Sequence, residues 1–254
     1  MGEVNKLKQA GAITGIILIS ALFLNYGSRW LYRLAYHMYP LYKSIDPDDA
    51  FMYLNLHHIF QGGVFLLMIG IAAKLFHCKW SDFGFNLNRY RFSLIYTVCF
   101  VAVWTVIQFG VGYVMVRSGT VFNMNFPLNS RNFTGYFLFE LLLSGTSEEL
   151  FFRAFIITVI ISLMKNTLKH QKNIEMIAII ISTVLFMAGH ISYDLFPLRI
   201  NYINGLLQLT VVIFSFAYGI VFLKTRSILG PMLMHNLLNG IATISTLVFT
   251  KMTH

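Results

Sequence analysis

The sequence predicts an all-α, polytopic membrane helix bundle of about seven transmembrane helices around a buried polar cavity, and three observations support this prediction. Of the 254 residues, 57% are hydrophobic and 11% are charged, whereas roughly 25% of the residues in a soluble domain are charged. The apolar residues form long segments that can cross a hydrocarbon core of about 30 Å as helices. Charged residues nevertheless occur inside some segments, where they are energetically disfavoured. We expect residues 1–254 to form a single integral membrane domain.

Composition also limits the possible partners. The net charge is +9, which in a soluble protein would favour nucleic-acid binding. Here the lysines and arginines lie mainly between the apolar segments, so we expect a lipid bilayer and no nucleic acid as partner. Their distribution favours a multi-pass protein of the cell membrane with a cytoplasmic N-terminus. Cys78 and Cys99 indicate neither a disulfide framework nor a metal cluster.

The first apolar segment, residues 10–26, follows Lys6 and Lys8 and has the length of a signal peptide. It lacks a convincing small-x-small cleavage site followed by a polar sequence, so we predict the first membrane helix there. Residues 28–45 mix Trp and Tyr with Arg and Lys. This composition is typical of a segment at the membrane interface.

Six further apolar segments predict six more helices. They cover residues 51–76, 92–116, 134–164, 174–191, 203–223 and 228–249. Residues 134–249 contain the polar motifs described below, so we expect them to form the functional core. The two halves of the chain show no paired broken helices, which argues against an inverted-repeat transporter.

The helix predicted over residues 134–164 carries three ionisable side chains near its middle. Glu149 and Arg153 are four residues apart and share one helix face, while Glu148 points about 100° away. A charge in the middle of a bilayer is disfavoured by about 2.5 kcal/mol or more. We therefore predict that Glu149 and Arg153 form an internal ion pair and that the Glu148 carboxylate is free for chemistry.

Polar residues recur inside two later helices. His190 lies near the end of the fifth helix, and His235 and Asn239 lie four residues apart in the seventh, on one face. At 1.5 Å per residue, Glu148 and His190 both lie roughly 24 Å from the same membrane side, so they can meet. His235 and Asn239 lie roughly 10 to 16 Å from that side. They need a kink or offset near residues 230–231 to reach the same level.

These side chains suit the activation of water in a cavity of low dielectric. Glu148 can accept a proton from water and later return it to a leaving amine, while His190 holds or polarises the same water. His235 and Asn239 can donate hydrogen bonds to the oxygen of a peptide carbonyl as it becomes tetrahedral. A divalent metal such as zinc is an open alternative, since Glu148, His190 and His235 form a known type of ligand set. The sequence lacks a His-Glu-x-x-His helix, which excludes the zincin arrangement.

Taken in order, these motifs resemble those of the CPBP family of intramembrane proteases, also called the Abi or CAAX-protease family. The motifs are Glu148-Glu149-x-x-x-Arg153, Phe186-x-x-x-His190 and His235-x-x-x-Asn239, on three separate helices. The resemblance covers roughly residues 134–249 and implies an endopeptidase whose helices surround a cavity. It also implies that Glu148 and His190 activate water and that His235 and Asn239 are the oxyanion donors.

The resemblance further implies a membrane-associated peptide or protein as substrate. Bacterial members of the family are associated with bacteriocin self-immunity and with the maturation or secretion of peptide pheromones. A rival hypothesis is a non-proteolytic membrane scaffold or immunity factor that binds a partner protein and keeps the polar cluster as structure. We expect His57 and His58 to be interfacial, Asp194 and Arg199 to be solvated loop charges, and Glu140 either to line a path or to pack against a polar group.

Overall fold

Long helices packed side by side form the molecule, which confirms the predicted polytopic helical bundle. The computed structural model describes residues 3–165 and 170–254. Within these ranges, six helices are long and apolar enough to cross a membrane. These helices are Gln9–His37, Met52–Leu75, Tyr90–Arg117, Gln171–Gly189, Gly205–Thr225 and Leu229–Thr253. A further long helix over residues 130–164 carries the Glu148 motif, so the described chain agrees with the prediction of about seven helices.

The first helix, α1, is longer than predicted. It runs through Glu3–Leu22, the π-helical segment Phe23–Gly27 and Ser28–His37. The predicted helix end at residue 26 was wrong, because the interfacial-looking sequence after it continues the same helix. Leu31 and Ala35 are buried, and this part of α1 packs against the helix Met52–Leu75. Tertiary packing therefore extends α1 beyond the apolar segment that the sequence shows.

A short turn, Tyr39–Tyr42 (α2), leads to α3, Met52–Leu75. The Asp46 carboxylate accepts hydrogen bonds from the backbone N–H groups of residues 50–52 at 2.9, 2.8 and 2.8 Å. The first N–H groups of a helix have no partner within it, and they attract negative charge. Asp46 thus fixes the start of α3.

A 3₁₀ turn, Trp80–Phe83, precedes α4, Tyr90–Arg117. Many apolar side chains of α4 are exposed, as expected for a helix that faces lipid. The inner face of α4 packs against the last helix of the chain. A Cβ atom at Gly112 would lie 2.0 Å from the ring of Phe249. Glycine is therefore needed for this close approach.

The motif helix, α5, spans residues 130–164 and alternates between two kinds of winding. Its segments are Ser130–Phe139 (α), Glu140–Ser144 (π), Gly145–Glu149 (α), Leu150–Ile157 (π) and Thr158–Met164 (α). The Asn129 side chain caps its start by accepting a 2.9 Å hydrogen bond from the N–H group of Asn132. Pi segments are frequent at functional sites, and the extra residue in the turn shifts the direction of the side chains that follow.

Three helices and a hairpin complete the chain. They are α6, Gln171–Gly189; the strands β1, Ser192–Leu195, and β2, Leu198–Tyr202; α7, Gly205–Thr225; and α8, Leu229–Thr253. The strands are antiparallel, with Asp194 opposite Arg199. The sequence predicted a loop at this place. The hairpin begins directly after His190, so it is close to the candidate site.

The hydrophobic core surrounds the second half of α5. The side chains of the π segment Leu150–Ile157 are buried, apart from the half-buried Phe155. They pack with buried residues from α3, α6 and α7. Because α5 lies at the centre, its polar residues are surrounded by protein rather than by lipid.

Candidate active site

Glu149, Arg153 and His235 form a buried ion network between α5 and α8. Arg153 Nε lies 3.1 Å from Glu149 Oε2, and the exposed fraction of both side chains is 0%. His235 Nδ1 lies 2.8 Å from the other carboxylate oxygen, Glu149 Oε1. The structure thus contains the ion pair that the four-residue spacing predicts, and adds His235 to it. A carboxylate accepts hydrogen bonds, so His235 Nδ1 carries a proton.

Aromatic rings enclose the Arg153 guanidinium. Its central carbon lies 4.9 Å from the centre of the Phe186 ring and 5.1 Å from that of Tyr218, distances typical of cation–π contacts. Arg153 Nη2 also donates a 3.2 Å hydrogen bond to Ser215 Oγ. Tyr218 stacks on the His235 ring at 5.2 Å. These contacts hold both partners of Glu149 in place.

Glu148 takes no part in the ion pair with Arg153. Its side chain is 22% exposed, and Oε2 lies 3.9 Å from His235 Nε2. It faces a cavity of about 200 Å³, the Glu148 cavity. The cavity is lined by Leu24, Ser28, His57, His58, Gln61, Glu148, Phe152, Gly189 and His190. Glu148 therefore combines an available carboxylate with space for water or substrate.

His190 lines the same cavity, at the end of α6. Its Nδ1 lies 2.9 Å from the carbonyl oxygen of Phe186, so Nδ1 donates and Nε2 is left as an acceptor in the neutral ring. The carbonyl oxygen of His190 accepts a 3.0 Å hydrogen bond from Gln208 on α7. Glu148 and His190 thus meet at one cavity, as their predicted depths allow.

The hairpin after His190 is fastened to α1. Asn25 and Arg29 each donate a 2.7 Å hydrogen bond to the carbonyl oxygen of Tyr193. Arg29 also pairs with Asp194 at 3.2 Å. Hydrogen bonds from Asn201 and Arg29 lower the pKa of Asp194 below its usual value. Asp194 was predicted to be a solvated charge; it is exposed, but it connects the hairpin to α1.

Asn239 lies on a second cavity, the Asn239 cavity, of about 330 Å³. The cavity is lined by Asn123, Met124, Asn125, Phe126, Tyr136, Glu140, Asn239, Ala242, Thr243 and Thr246. Asn239 Nδ2 donates a 3.1 Å hydrogen bond to Ser144 Oγ on α5. Asn239 and Glu148 therefore lie on different cavities, while His235, one turn before Asn239, approaches Glu148.

Asn236 and Gly145, which the sequence analysis did not select, bring α8 and α5 into close contact. Asn236 accepts a 3.0 Å hydrogen bond from the N–H group of Thr146 and donates one of 2.8 Å to its hydroxyl. A Cβ atom at Gly145 would lie 2.6 Å from the Asn236 and His235 side chains. The close approach of the two helices depends on this glycine. Asn236 directly follows His235 in the sequence, but this position alone does not predict that its side chain joins the two helices.

The prediction that His57 and His58 are interfacial was wrong. Both side chains are buried, and both line the Glu148 cavity together with Gln61. His58 Nδ1 lies 2.6 Å from the hydroxyl of Ser147, the residue before Glu148. The error has a physical cause: α1 continues past its apolar segment and covers this part of α3. The sequence did contain one pattern that predicts burial: His57 and Gln61 are four residues apart, so two polar side chains share one face of an apolar helix.

The described residues do not form the metal site that the sequence left open for Glu148, His190 and His235. Within residues 3–165 and 170–254, no group of three or more His, Cys, Asp or Glu side chains is arranged to hold a metal ion. Glu148, His190 and His235 therefore do not converge on one point, and His235 Nδ1 is engaged by Glu149.

The fold and the site define a polytopic membrane protein with a buried glutamate–histidine centre. Comparison with known proteins gives the family. The family model described as type II CAAX prenyl endopeptidase Rce1-like matches residues 130–241. This segment is thus similar to the CPBP, or CAAX-protease-like, family, and the similarity supports a membrane-embedded endopeptidase in general. No curated protein and no solved structure matches the chain.

The match includes the three motifs and excludes α1 to α4. Those helices nevertheless contribute to the site, since Leu24 and Ser28 of α1 and His57, His58 and Gln61 of α3 line the Glu148 cavity. The family match therefore covers α5, α6, α7 and most of the motif-bearing part of α8, and does not extend to the α3 residues.

Proposed function

We propose that this protein is an intramembrane endopeptidase that hydrolyses a peptide bond of a membrane-associated peptide or protein with water activated by Glu148 and His190. The observation that carries this proposal is the shared cavity. Glu148 and His190, from two different helices, line one space, and His235 Nε2 lies 3.9 Å from the Glu148 carboxylate.

In the first step, water bound in the Glu148 cavity donates one hydrogen bond to Glu148 and the other to His190 Nε2. Glu148 removes a proton as the water oxygen attacks the carbonyl carbon. A positioned general base of this kind contributes about 10²- to 10⁴-fold to a rate. The enclosure of the cavity strengthens these interactions, because the surroundings have a lower dielectric than bulk water.

His235 and Asn239 act on the carbonyl oxygen as negative charge develops there. Nδ1 of His235 already donates to Glu149, so donation from Nε2 to the oxyanion requires the imidazolium form. Glu148 and Glu149 lie on the two sides of the ring, 3.9 Å from Nε2 and 2.8 Å from Nδ1. Asn239 lies one turn further along α8, on the Asn239 cavity, and one of its amide N–H groups is given to Ser144. Its second N–H group reaches the oxyanion when the substrate carbonyl lies between the two cavities. Donors of this kind typically contribute about 10²- to 10³-fold.

In the last step, Glu148 returns its proton to the leaving nitrogen. The carbon–nitrogen bond breaks and the products are a carboxylic acid and an amine. Arg153 and Glu149 do not contact the reacting atoms in this mechanism. They hold His235 in place. The distance between the base, Glu148, and the oxyanion donors is thereby fixed.

The proposed physiological role is the processing of a peptide pheromone or bacteriocin, or self-immunity against such a peptide. It rests on the family resemblance and on a cavity that is enclosed by membrane helices. The cell membrane as location and a cytoplasmic N-terminus stay predictions from the distribution of lysine and arginine.

Cleavage in liposomes tests the proposed function. Purified wild-type protein is reconstituted with a library of membrane-tethered peptides, beside Glu148→Ala, His190→Ala and the control His37→Ala, which alters an exposed histidine on α1. We expect cleavage by wild type and the control, and none by the other two. A parallel series with a chelator asks whether a metal is needed.

The competing scaffold hypothesis makes the opposite prediction. The endopeptidase proposal is wrong if two results are found together. No preparation cleaves any peptide, and folded Glu148→Ala protein still binds its partner, or still confers immunity, as wild type does. Far-ultraviolet circular dichroism and gel filtration of each variant establish that the comparison is between folded proteins.

A further inference from the structure

The Glu148 cavity contains polar atoms that the described chain leaves unpaired. Gln61 and His57 line the cavity and are buried, with 6% and 8% of their surfaces exposed. Gln61 Oε1 and His57 Nδ1 have no hydrogen-bond partner among the described residues. Buried polar atoms in folded proteins are nearly always paired. Two unpaired atoms on the wall of one cavity therefore indicate a missing ligand or water.

His58 adds an acceptor to this wall. Its Nδ1 lies 2.6 Å from Ser147 Oγ, and Ser147 Oγ donates to the carbonyl oxygen of Ser144 at 3.1 Å. A serine hydroxyl has one proton, so when Ser147 gives it to Ser144, His58 Nδ1 is the donor toward Ser147. In the neutral ring, Nε2 of His58 is then an acceptor. The same reasoning left Nε2 of His190 as an acceptor.

The cavity is therefore rich in acceptors. Its lining residues include the carboxylate Glu148, the imidazoles of His58 and His190, and Gln61, whose amide oxygen has no partner among the described residues. A primary amine has two N–H donors, or three when protonated, and at most one lone pair that needs a donor in return. The volume of about 200 Å³ exceeds the roughly 30 Å³ that one water occupies in the liquid. An amine fits this cavity both chemically and by size.

We propose that Gln61 and His58 of α3 form a subsite for the amino group of the peptide on the carboxyl side of the cut. The inference rests on the proposed function, because Glu148 can return its proton to the leaving nitrogen only if that nitrogen lies in this cavity. The carbon–oxygen bond to water has then formed, the carbon–nitrogen bond breaks, and the proton taken from water completes the amine. The new N–H donors meet Gln61 Oε1 and His58 Nε2.

Binding of amines that contain no peptide bond tests the subsite independently of cleavage. One probe is a fluorescent long-chain primary amine, and its partner is the same chain with a trimethylammonium group, which keeps the charge and has no N–H donor. Wild-type protein in detergent micelles is expected to bind the primary amine about tenfold more tightly, a difference that corresponds to about 1.4 kcal/mol.

Two variants assign this preference to α3. Gln61→Leu removes an unpaired acceptor at nearly constant size and is expected to leave the fold intact, while His58→Phe removes the second acceptor. Each should reduce the preference for the primary amine about threefold, since the two acceptors share a tenfold preference, and His37→Leu should leave it unchanged. Equal binding of both probes by wild type, or an undiminished preference in folded Gln61→Leu and His58→Phe, would overturn the subsite.

The two proposals fail in different ways. Wild type that binds the primary amine selectively but cleaves no peptide retains the amine subsite and loses the endopeptidase function. Wild type that cleaves peptides and binds both probes equally retains the endopeptidase function and loses the subsite.

Discussion

Glu140 and Glu148 lie two turns apart on one helix, yet they line different cavities. The Glu148 cavity has three histidines on its wall, His57, His58 and His190. The Asn239 cavity has asparagines and threonines, and no described histidine lines it. The comparison shows that α5 supplies one carboxylate to each cavity. The neighbouring helices determine whether that carboxylate lies beside side chains that can accept or donate a proton.

The largest expected effect separates the two glutamates. Glu148→Gln should lower the rate of peptide cleavage by about 10³-fold or more, because an amide cannot remove a proton from water. Glu140→Gln is the matched control on the same helix and should leave the rate within about threefold on the same argument. Initial rates in liposomes measure both. A comparable loss in the two variants would contradict the different roles of the cavities.

The next effect concerns the ion network that holds His235 between the cavities. Arg153→Met should lower the free energy of unfolding by about 3 to 5 kcal/mol, because the buried Glu149 carboxylate loses its arginine partner. Thermal unfolding in detergent gives the measurement. The double variant with Glu149→Gln should be more stable than Arg153→Met, since it removes the unpaired charge. An Arg153→Met protein as stable as wild type would show that the network contributes little.

A smaller effect is expected on the Asn239 side. Asn239→Ala should reduce the rate constant for cleavage about 10²-fold with a small change in KM, because the donor acts on charge that develops in the transition state. Thr246→Val, which alters another side chain of the same cavity, serves as control. If the two variants behave alike, Asn239 fills space in its cavity and the oxyanion donor must be sought elsewhere.

The smallest effect concerns the fastening of the hairpin. Arg29 and Asp194 are both about half exposed, with 44% of each side chain accessible, and such pairs usually contribute little to stability. Asp194→Asn should therefore leave the melting temperature unchanged within error and alter cleavage less than about twofold. A large loss of cleavage in this variant would show that the hairpin positions His190 and belongs with the Glu148 cavity.

Sequence spacing predicted the contacts that depend on a regular helix. Glu149 and Arg153 are four residues apart and form an ion pair at 3.1 Å, and the depths of Glu148 and His190 allowed them to meet. Both predictions use only the rise and the angular repeat of an α-helix. They succeed because each involves a single helix or the distance along it.

Spacing failed where the helix winding or the packing changes. The π segment Glu140–Ser144 shifts the direction of the residues around it, so α-helical angles do not separate the faces of Glu140 and Glu148. His57 and Gln61 share a face by spacing, but their burial depends on α1, which continues beyond its apolar segment. Neither the π segment nor the extent of α1 follows from local periodicity.

The residues that line the Glu148 cavity come from two parts of the chain. Five of its nine lining residues precede residue 130, and four follow it. The reacting groups and the outer wall are therefore carried by separate parts of the chain, which meet at contacts such as that between His58 and Ser147. Under the proposed function, substitutions in the wall from α1 and α3 are expected to change which peptide is admitted, because segment 130–241 supplies only four of the nine lining residues.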